Sequence, residues 1–393
     1  MMNNFKDPGK LLYGSWNTNL DEVSIEQLDH YVAVENFLTD EDELPPDAEN
    51  LEKVQKYLEV FHHLYEVEDW KRAIAISSVP IFFNEELHNQ LFTWGYYSEL
   101  AELYNKLLNI PSPELNTTFL YGLGKLHYAK GEYRQAIDFY DKCLKESQGI
   151  KDFKIVGAAL NSLGLSHFWL GGYDKAINCF QQRLVIAWEN NDYQGEGAVL
   201  NNLGLVYSTQ GKYRKAIKYQ NRGREILHII GDRSGEGNAL GSLGTSYAGL
   251  GDYDKVIECQ KKYLGIMEEI QDVRSEGDAW GNLGTTLAKL NRNSEALEYW
   301  QVALGICKKI GSRSSEALIL KNLAALYQIL GDTKQAYESC VQALAIATEL
   351  DIPLAQECQE LKKILYQIYI VKQIVNSQSP YQEIQQGIAK LQR

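Results

Sequence analysis

The chain has 393 residues, of which 45% are hydrophobic and 23% charged, and its formal net charge is −13. No apolar run reaches eighteen residues, so the sequence predicts no membrane-spanning helix. The start lacks the basic-then-apolar pattern of a secretory signal, and the six cysteines form no Cys-x-x-Cys pair. These features favour a cytoplasmic protein with reduced thiols.

Residues 1–50 predict an acidic N-terminal arm with one helix. Ser24 and Gln27 have the spacing of a capping box, which predicts a helix from there to about Leu38. A charged linker broken by two prolines follows at 39–47. Residues 1–115 contain 22 Asp and Glu against 7 Lys and Arg. This excess is explained either by a solvated acidic face or by an acidic segment that covers a binding surface of the chain.

Residues 51–115 predict two degenerate helical hairpins. Apolar residues at helical spacing start at Leu51, and the two hairpins are expected over 51–79 and 84–109. Pro80 ends the first hairpin, and a Pro-Ser-Pro segment at 111–113 separates the second from the next region.

Residues 116–352 contain six repeats with a period of forty residues. The dipeptide Leu-Gly occurs five times at this interval, beginning at Leu123-Gly124, and a sixth time as Leu323-Ala324. Eight residues after each leucine stands a glycine or, once, an asparagine: Gly131, Gly171, Gly211, Gly251, Asn291 and Gly331. A period of this length predicts stacked supersecondary units.

The residues of one unit explain the spacing. In residues 156–188, two apolar blocks at helical spacing flank Gly171, which permits the left-handed conformation that ends a helix. Gly164 and Ala176 lie inside the helices, where small residues let paired helices approach closely. Each unit is thus expected to be an antiparallel hairpin that buries its apolar side only against neighbouring units. Residues 353–393 predict C-terminal capping helices.

These residues resemble the tetratricopeptide repeat (TPR). The pattern Leu-Gly-x-x-Tyr, then Gly-x-Tyr-x-x-Ala, is clearest over 203–207 and 211–216. Forty-residue units with Gly-Asp-Arg-x-x-Glu joints, as at 231–236, are similar to those of kinesin light chains, Pins/LGN adaptors and the sensor arms of bacterial STAND proteins. The resemblance implies an all-α fold: a right-handed superhelical solenoid of helix-turn-helix hairpins with atypical helical caps at both ends.

The same resemblance indicates a binding surface. In TPR arrays the first helices line the concave side, and the register assigns its exposed positions. Asparagine amides can pair with both the donor and the acceptor of a peptide backbone, and small side chains leave room for a helix. The candidate partner-binding residues are Tyr121, Lys125, Asn161, Leu165, Phe168, Asn201, Leu205, Asn238, Thr245, Asp278 and Thr285.

Other kinds of site are weaker in the sequence. Six basic residues between Lys212 and Arg224 could contact phosphates, but they belong to a second helix of an acidic protein, which disfavours nucleic-acid binding. His62 and His63 beside Glu59 have metal-ligand spacing without a third ligand. No phosphate-binding loop or catalytic motif occurs, so the sequence predicts no metal, no cofactor and no enzyme activity.

The sequence therefore favours a signalling adaptor or scaffold that binds a peptide or helix of a partner protein in the concave groove. The alternative is a receptor for signalling peptides, similar to Rap-type regulators, in which the acidic N-terminal region is an effector or autoinhibitory element. RNA binding ranks below both.

Overall fold

The computed structural model describes residues 8–16, 23–40, 48–82, 85–108, 110, 113–150 and 152–368. Residues 41–47 of the predicted linker and residues 369–393 of the predicted C-terminal capping helices lie outside the described residues. The chain forms two compact units, Met1–Asn190 and Asn191–Arg393. The domain boundaries expected at residues 50, 115 and 352 follow the repeat register and stay predictions.

The first unit contains ten helices and a two-stranded antiparallel sheet among its described residues. Its elements are α1 (Pro8–Ser15), α2 (Ile25–Thr39), α3 (Glu52–Glu66), α4 (Trp70–Ser77), β1 (Pro80–Phe82), β2 (Glu85–Glu86), α5 (Leu87–Thr93), α6 (Tyr97–Leu107), α7 (Pro113–Ala129), α8 (Tyr133–Ile150), α9 (Phe153–Trp169) and α10 (Tyr173–Glu189). In the sheet, Pro80 pairs with Glu86 and Phe82 with Glu85.

The second unit consists of four complete hairpins and one further helix in its described part. Its elements are α11 (Tyr193–Thr209), α12 (Tyr213–Ile229), α13 (Arg233–Leu250), α14 (Tyr253–Glu269), α15 (Val273–Lys289), α16 (Asn293–Ile310), α17 (Arg313–Ile329), α18 (Thr333–Glu349) and α19 (354–368). The predicted all-α array of helical hairpins is confirmed. None of the helices described combines the length and the apolar character needed to cross a bilayer.

The turn inside each regular hairpin has the backbone that its residue type predicts. The residue just after the first helix takes a positive φ in all six repeats, which is the left-handed conformation that glycine tolerates at a helix end. Asn291 replaces glycine in the fifth repeat and adopts φ 58°. The glycine or asparagine that recurs every forty residues therefore ends the first helix of each hairpin.

Glycines in the first helices permit close packing of the two helices of a hairpin. A Cβ atom added at Gly164 would lie 2.7 Å from Cδ1 of Phe180, and one added at Gly284 would lie 2.7 Å from Cδ1 of Trp300. Such distances are too short for carbon atoms, so only glycine lets the ring of the second helix lie against the first. The predicted packing role of Gly164 is confirmed.

The N-terminal region contains two described helices, α1 and α2, where one was expected. Val34 and Leu38 of α2 are buried in the same apolar core as Val54 and Leu64 of α3. The helix begins after Ser24, as predicted, but the capping box is wrong. The side chain of Ser24 makes no cap hydrogen bond to the backbone: its hydroxyl donates to Oε1 of Gln27, and Nε2 of Gln27 donates to the carbonyl of Val67.

Candidate functional site

Within each unit, the first helices of the regular hairpins form a surface, which we call the first-helix face of that unit. In the first unit it is formed by α7 and α9, and in the second by α11, α13, α15 and α17. Within the second unit α11 contacts α13, and α15 contacts α17. Positions forty residues apart therefore recur along neighbouring helices.

The structure leaves most of the predicted residues accessible on this face. Those that are exposed are Lys125, Asn238, Thr245 and Asp278. Those that are half-buried are Tyr121, Asn161, Leu165, Asn201, Leu205 and Thr285. Whether these residues contact a partner stays a prediction.

Phe168 is the exception among the predicted residues, because its side chain is buried. Its ring centroid lies 5.3 Å from that of Trp169 and 5.9 Å from that of Tyr173. The prediction that its ring lines the face was wrong, since the ring packs inside an aromatic cluster. Trp169, by contrast, is exposed and donates from Nε1 to the hydroxyl of Tyr128 at 2.7 Å.

Two cavities open on the first-helix face of the second unit. The larger has a volume of 480 Å³ and is lined by Gln194, Ala198, Asn201, Asn202, Leu227, Asp232, Ser234, Gly235 and Asn238. The smaller has a volume of 280 Å³ and is lined by Leu205, Ser208, Gln220, Asn238, Gly241, Ser242, Thr245 and Tyr263. Asn238 borders both cavities, so they are adjacent.

These cavities have polar but nearly uncharged walls. Asp232 is the single ionisable carboxylate in the larger one, and it is engaged as the N-cap of α13, accepting from the Gly235 amide at 2.8 Å. Its other oxygen accepts from Nε2 of Gln194 at 3.1 Å. Asn201 Oδ1 is buried without a hydrogen-bond partner among the described residues. Apart from Asp232, the walls thus offer hydrogen-bonding groups and no charged side chain.

Gln220 is the residue of this site that the sequence reasoning missed. It belongs to a second helix, and the repeat register places it where Tyr140, Phe180 and Trp300 stand in other hairpins. The position is aromatic in three of the six hairpins and is a glutamine again at Gln260, so buried Gln220 is a polar interruption of the core where those three hairpins have a ring. That interruption was visible in the sequence, because the period alone aligns the positions.

The basic run on α12 is partly engaged by neighbouring side chains. Lys215 Nζ lies 3.9 Å from the ring centroid of Tyr207, and Nη1 of Arg224 lies 3.7 Å from Oε1 of Glu236. Glu236 is itself buried, so Arg224 balances a charge inside the protein. These contacts account for part of the run without nucleic acid.

The two histidines with metal-ligand spacing have different neighbours in the structure. Nδ1 of His63 lies 3.0 Å from Nδ1 of His30, which stands on α2. His62 instead lies 3.8 Å from Glu66, measured from Nδ1 to Oε1. Among the described residues, no group of three or more potential ligands is placed to hold a metal ion. Sequence spacing could not find the His30 contact, because the two residues are 33 positions apart.

Comparisons with known proteins agree with this geometry. Sequence profiles described as tetratricopeptide repeat match residues 117–149, 156–228 and 275–349. No curated protein matches the chain. The described hairpins define an α-helical repeat protein. More particularly, the segments that match these profiles are tetratricopeptide repeats.

Several solved structures share the fold. A STAND protein with a tetratricopeptide repeat sensor from Pyrococcus horikoshii is 16% identical, with a TM-score of 0.58, over 97% of this chain and 67% of that one. RapI in its apo form is 13% identical, with a TM-score of 0.52, and the match covers 67% of this chain and 96% of RapI. A Rap protein complexed with Competence and Sporulation Factor is 15% identical, with a TM-score of 0.50, and the match covers 80% of this chain and 99% of that one. These neighbours show the shared fold, and the tetratricopeptide repeats support a role in protein–protein interaction.

Proposed function

We propose that this protein is an interaction scaffold that binds a peptide or helix of a partner protein on the first-helix face of residues 191–350. The observation that carries the proposal is the pair of cavities on either side of Asn238. Their volumes of 480 and 280 Å³ each exceed the roughly 150 Å³ of an engineered cavity that accommodates benzene. Each is large enough to take a side chain of a bound segment.

The chemistry of the face supports a polypeptide ligand. Asn201 offers a buried acceptor, and Asn238 is exposed between the cavities with both a donor and an acceptor. A peptide backbone needs both kinds of partner at regular intervals, because its N–H and C=O groups lose water on binding. The mechanism is equilibrium capture of a partner segment without a chemical step.

A random peptide library displayed on phage, selected against the full chain, tests this proposal. Asn238→Trp places a large ring at the rim that the two cavities share, and Asn238 is exposed, so the fold tolerates the change. The matched control is Glu225→Trp, an exposed position on the second helix α12. Selected peptides are expected to bind the native chain and Glu225→Trp with affinities within about twofold. Their affinity for Asn238→Trp is expected to be at least about tenfold weaker than for the native chain.

Retention of affinity by Asn238→Trp, with helical content unchanged by circular dichroism, contradicts the proposal. Equal losses with both tryptophan variants contradict it as well, since the effect would then be independent of the face.

A further inference from the structure

The smaller cavity on the first-helix face has an uncharged polar lining. Its eight lining residues carry hydroxyl, amide and apolar groups only. Gln220 lines the cavity and stands at the register position that holds an aromatic ring in three other hairpins, at Tyr140, Phe180 and Trp300. A Cβ atom added at Gly204 would lie 3.0 Å from Cδ of Gln220, so the amide stands over this glycine as the Phe180 ring stands over Gly164.

The amide of Gln220 is only half satisfied. The residue is 0% exposed, and Ser246 Oγ donates to its Oε1 at 2.8 Å. Its Nε2 is buried and has no hydrogen-bond partner among the described residues. A buried amide donor without a partner is costly, which indicates that something else accepts from it.

Other groups of the cavity can accept hydrogen bonds. The hydroxyls of Ser242 and Thr245 donate to the carbonyls of Asn238 and Gly241, at 3.1 and 3.3 Å. Their hydrogens are therefore used, and their oxygens keep lone pairs for a donor inside the cavity. The lining thus presents one strong donor, Gln220 Nε2, together with hydroxyl acceptors.

We propose that this cavity takes the carboxamide of an asparagine or glutamine side chain of the bound segment, an inference that rests on the proposed function. The carboxamide oxygen accepts from Gln220 Nε2, and its NH₂ group donates to the hydroxyl oxygens. A carboxylate or ammonium group fits less well, because no lining residue carries a balancing charge. An apolar side chain would leave the Gln220 donor unpaired.

The experiment is a double-mutant cycle on peptides selected from the library described above. They are expected to carry Asn or Gln at one fixed position. Replacement of that residue by Leu or by Asp lowers affinity for the native chain at least about tenfold. Gln220→Phe, which restores the ring of other hairpins, lowers affinity for the parent peptide by a similar factor. The affinity of the Leu-substituted peptide for Gln220→Phe is at most about twofold lower than its affinity for the native chain.

Gln260→Leu is the matched control, because Gln260 occupies the same register position one repeat later. Its Oε1 accepts from Thr286 Oγ1 at 3.1 Å, and it does not line the cavity. Affinity within about twofold of the native value is expected for this variant.

The two proposals fail in different ways. Peptides that lose affinity with Asn238→Trp but show no amide preference overturn the carboxamide site and leave the binding face standing. Equal binding of the parent peptide to Gln220→Phe and the native chain has the same meaning. Both proposals are overturned if the selected peptides bind Asn238→Trp as tightly as the native chain, or if the library yields no binding peptide.

Discussion

A single methyl group decides how closely the two helices of a hairpin can pack. Gly164 lies beneath the ring of Phe180, whereas Gly305 is exposed in α16 with no atom within 4 Å of an added Cβ. Both glycines are helical, so both lose the same backbone entropy on folding. Only the neighbours of the added carbon differ between the two sites.

We expect Gly164→Ala to destabilise the first unit by about 1–3 kcal/mol, because the methyl group displaces the Phe180 ring. Gly305→Ala should stabilise the second unit by about 0.5–1 kcal/mol, the usual gain in helix propensity. Urea unfolding of both variants measures the two effects. Equal changes in stability would show that contacts at Gly164 do not matter.

The contact between His30 and His63 makes the packing of α2 on α3 sensitive to pH. Burial, followed by the nearby His30 and His62, lowers the pKa of His63 below its ordinary value of 6.5. The unfolded chain therefore binds more protons than the folded chain at pH values between the lowered pKa and 6.5. This difference stabilises the fold above pH 6.5, and the stabilisation is lost as the pH falls through the folded pKa.

We expect the urea midpoint of the first unit to fall between pH 7 and pH 5, and His63→Gln to reduce that fall. The native chain measured at the same pH values is the reference. Unfolding followed by circular dichroism at several pH values measures the effect. An unchanged pH dependence in His63→Gln would show that His63 does not cause the loss of stability at low pH.

At the scale of helices, aspartates define where many of them start. Asp272 accepts from the backbone amide of Ser275 at 3.1 Å and from its hydroxyl at 2.7 Å. These hydrogen bonds, with the hydroxyl contributing most, lower the pKa of Asp272. The same cap occurs at several other helices, at Asp69, Asp152, Asp192, Asp232, Asp252 and Asp332.

Asp272→Ala should cost about 1 kcal/mol of stability at pH 7, the usual value of an N-cap. Asp272→Asn should retain most of it, because asparagine caps helices about equally well. Chemical denaturation at pH 7 compares the two variants. If Asp272→Asn lost as much stability as Asp272→Ala, the charge of Asp272, and not its hydrogen bonds as a cap, would be what stabilises α15.

The Arg-x-x-Glu sequence of the joints also has a structural reason. Nη1 of Arg313 lies 2.9 Å from Oε2 of buried Glu316, and its Nη2 lies 3.0 Å from Oε2 of Glu349. Arg233 makes the same pair of contacts with buried Glu236 and with Glu269, from Nε at 3.1 Å to Oε1 of the latter. Each arginine connects the start of one hairpin with the end of its second helix, 36 residues later.

The repeat register predicted the regular hairpins well, because period, glycine stops and apolar spacing all report the same local geometry. It predicted the irregular parts poorly. The strands β1 and β2, the helix α1 and the burial of Phe168 depend on tertiary neighbours that no local pattern contains. The smaller cavity brings Gln220 beside Gly241 and Ser242 of the next hairpin, a contact between repeats that the local pattern does not contain.

At the scale of the whole molecule, the acidic residues are concentrated in the first 115 positions. In that region the described helices α1 and α2 pack against the degenerate hairpins: Nη2 of Arg72 on α4 donates to the carbonyl of Trp16, and Tyr31 donates to Asp69. These contacts give α1 and α2 a structural role at the start of the array. The regular hairpins of residues 191–350 carry the cavities, and the central claim concerns them.

Site-specific photo-crosslinking of the full chain in its native cell tests that claim most directly. A benzophenone amino acid replaces Asn238 in one variant and Glu225 in the other, so the probe lies on the first-helix face or on a second helix. Irradiation is expected to give a covalent protein adduct from position 238 and none from position 225. An adduct from position 225 alone, or equal adducts from both positions, would contradict the claim.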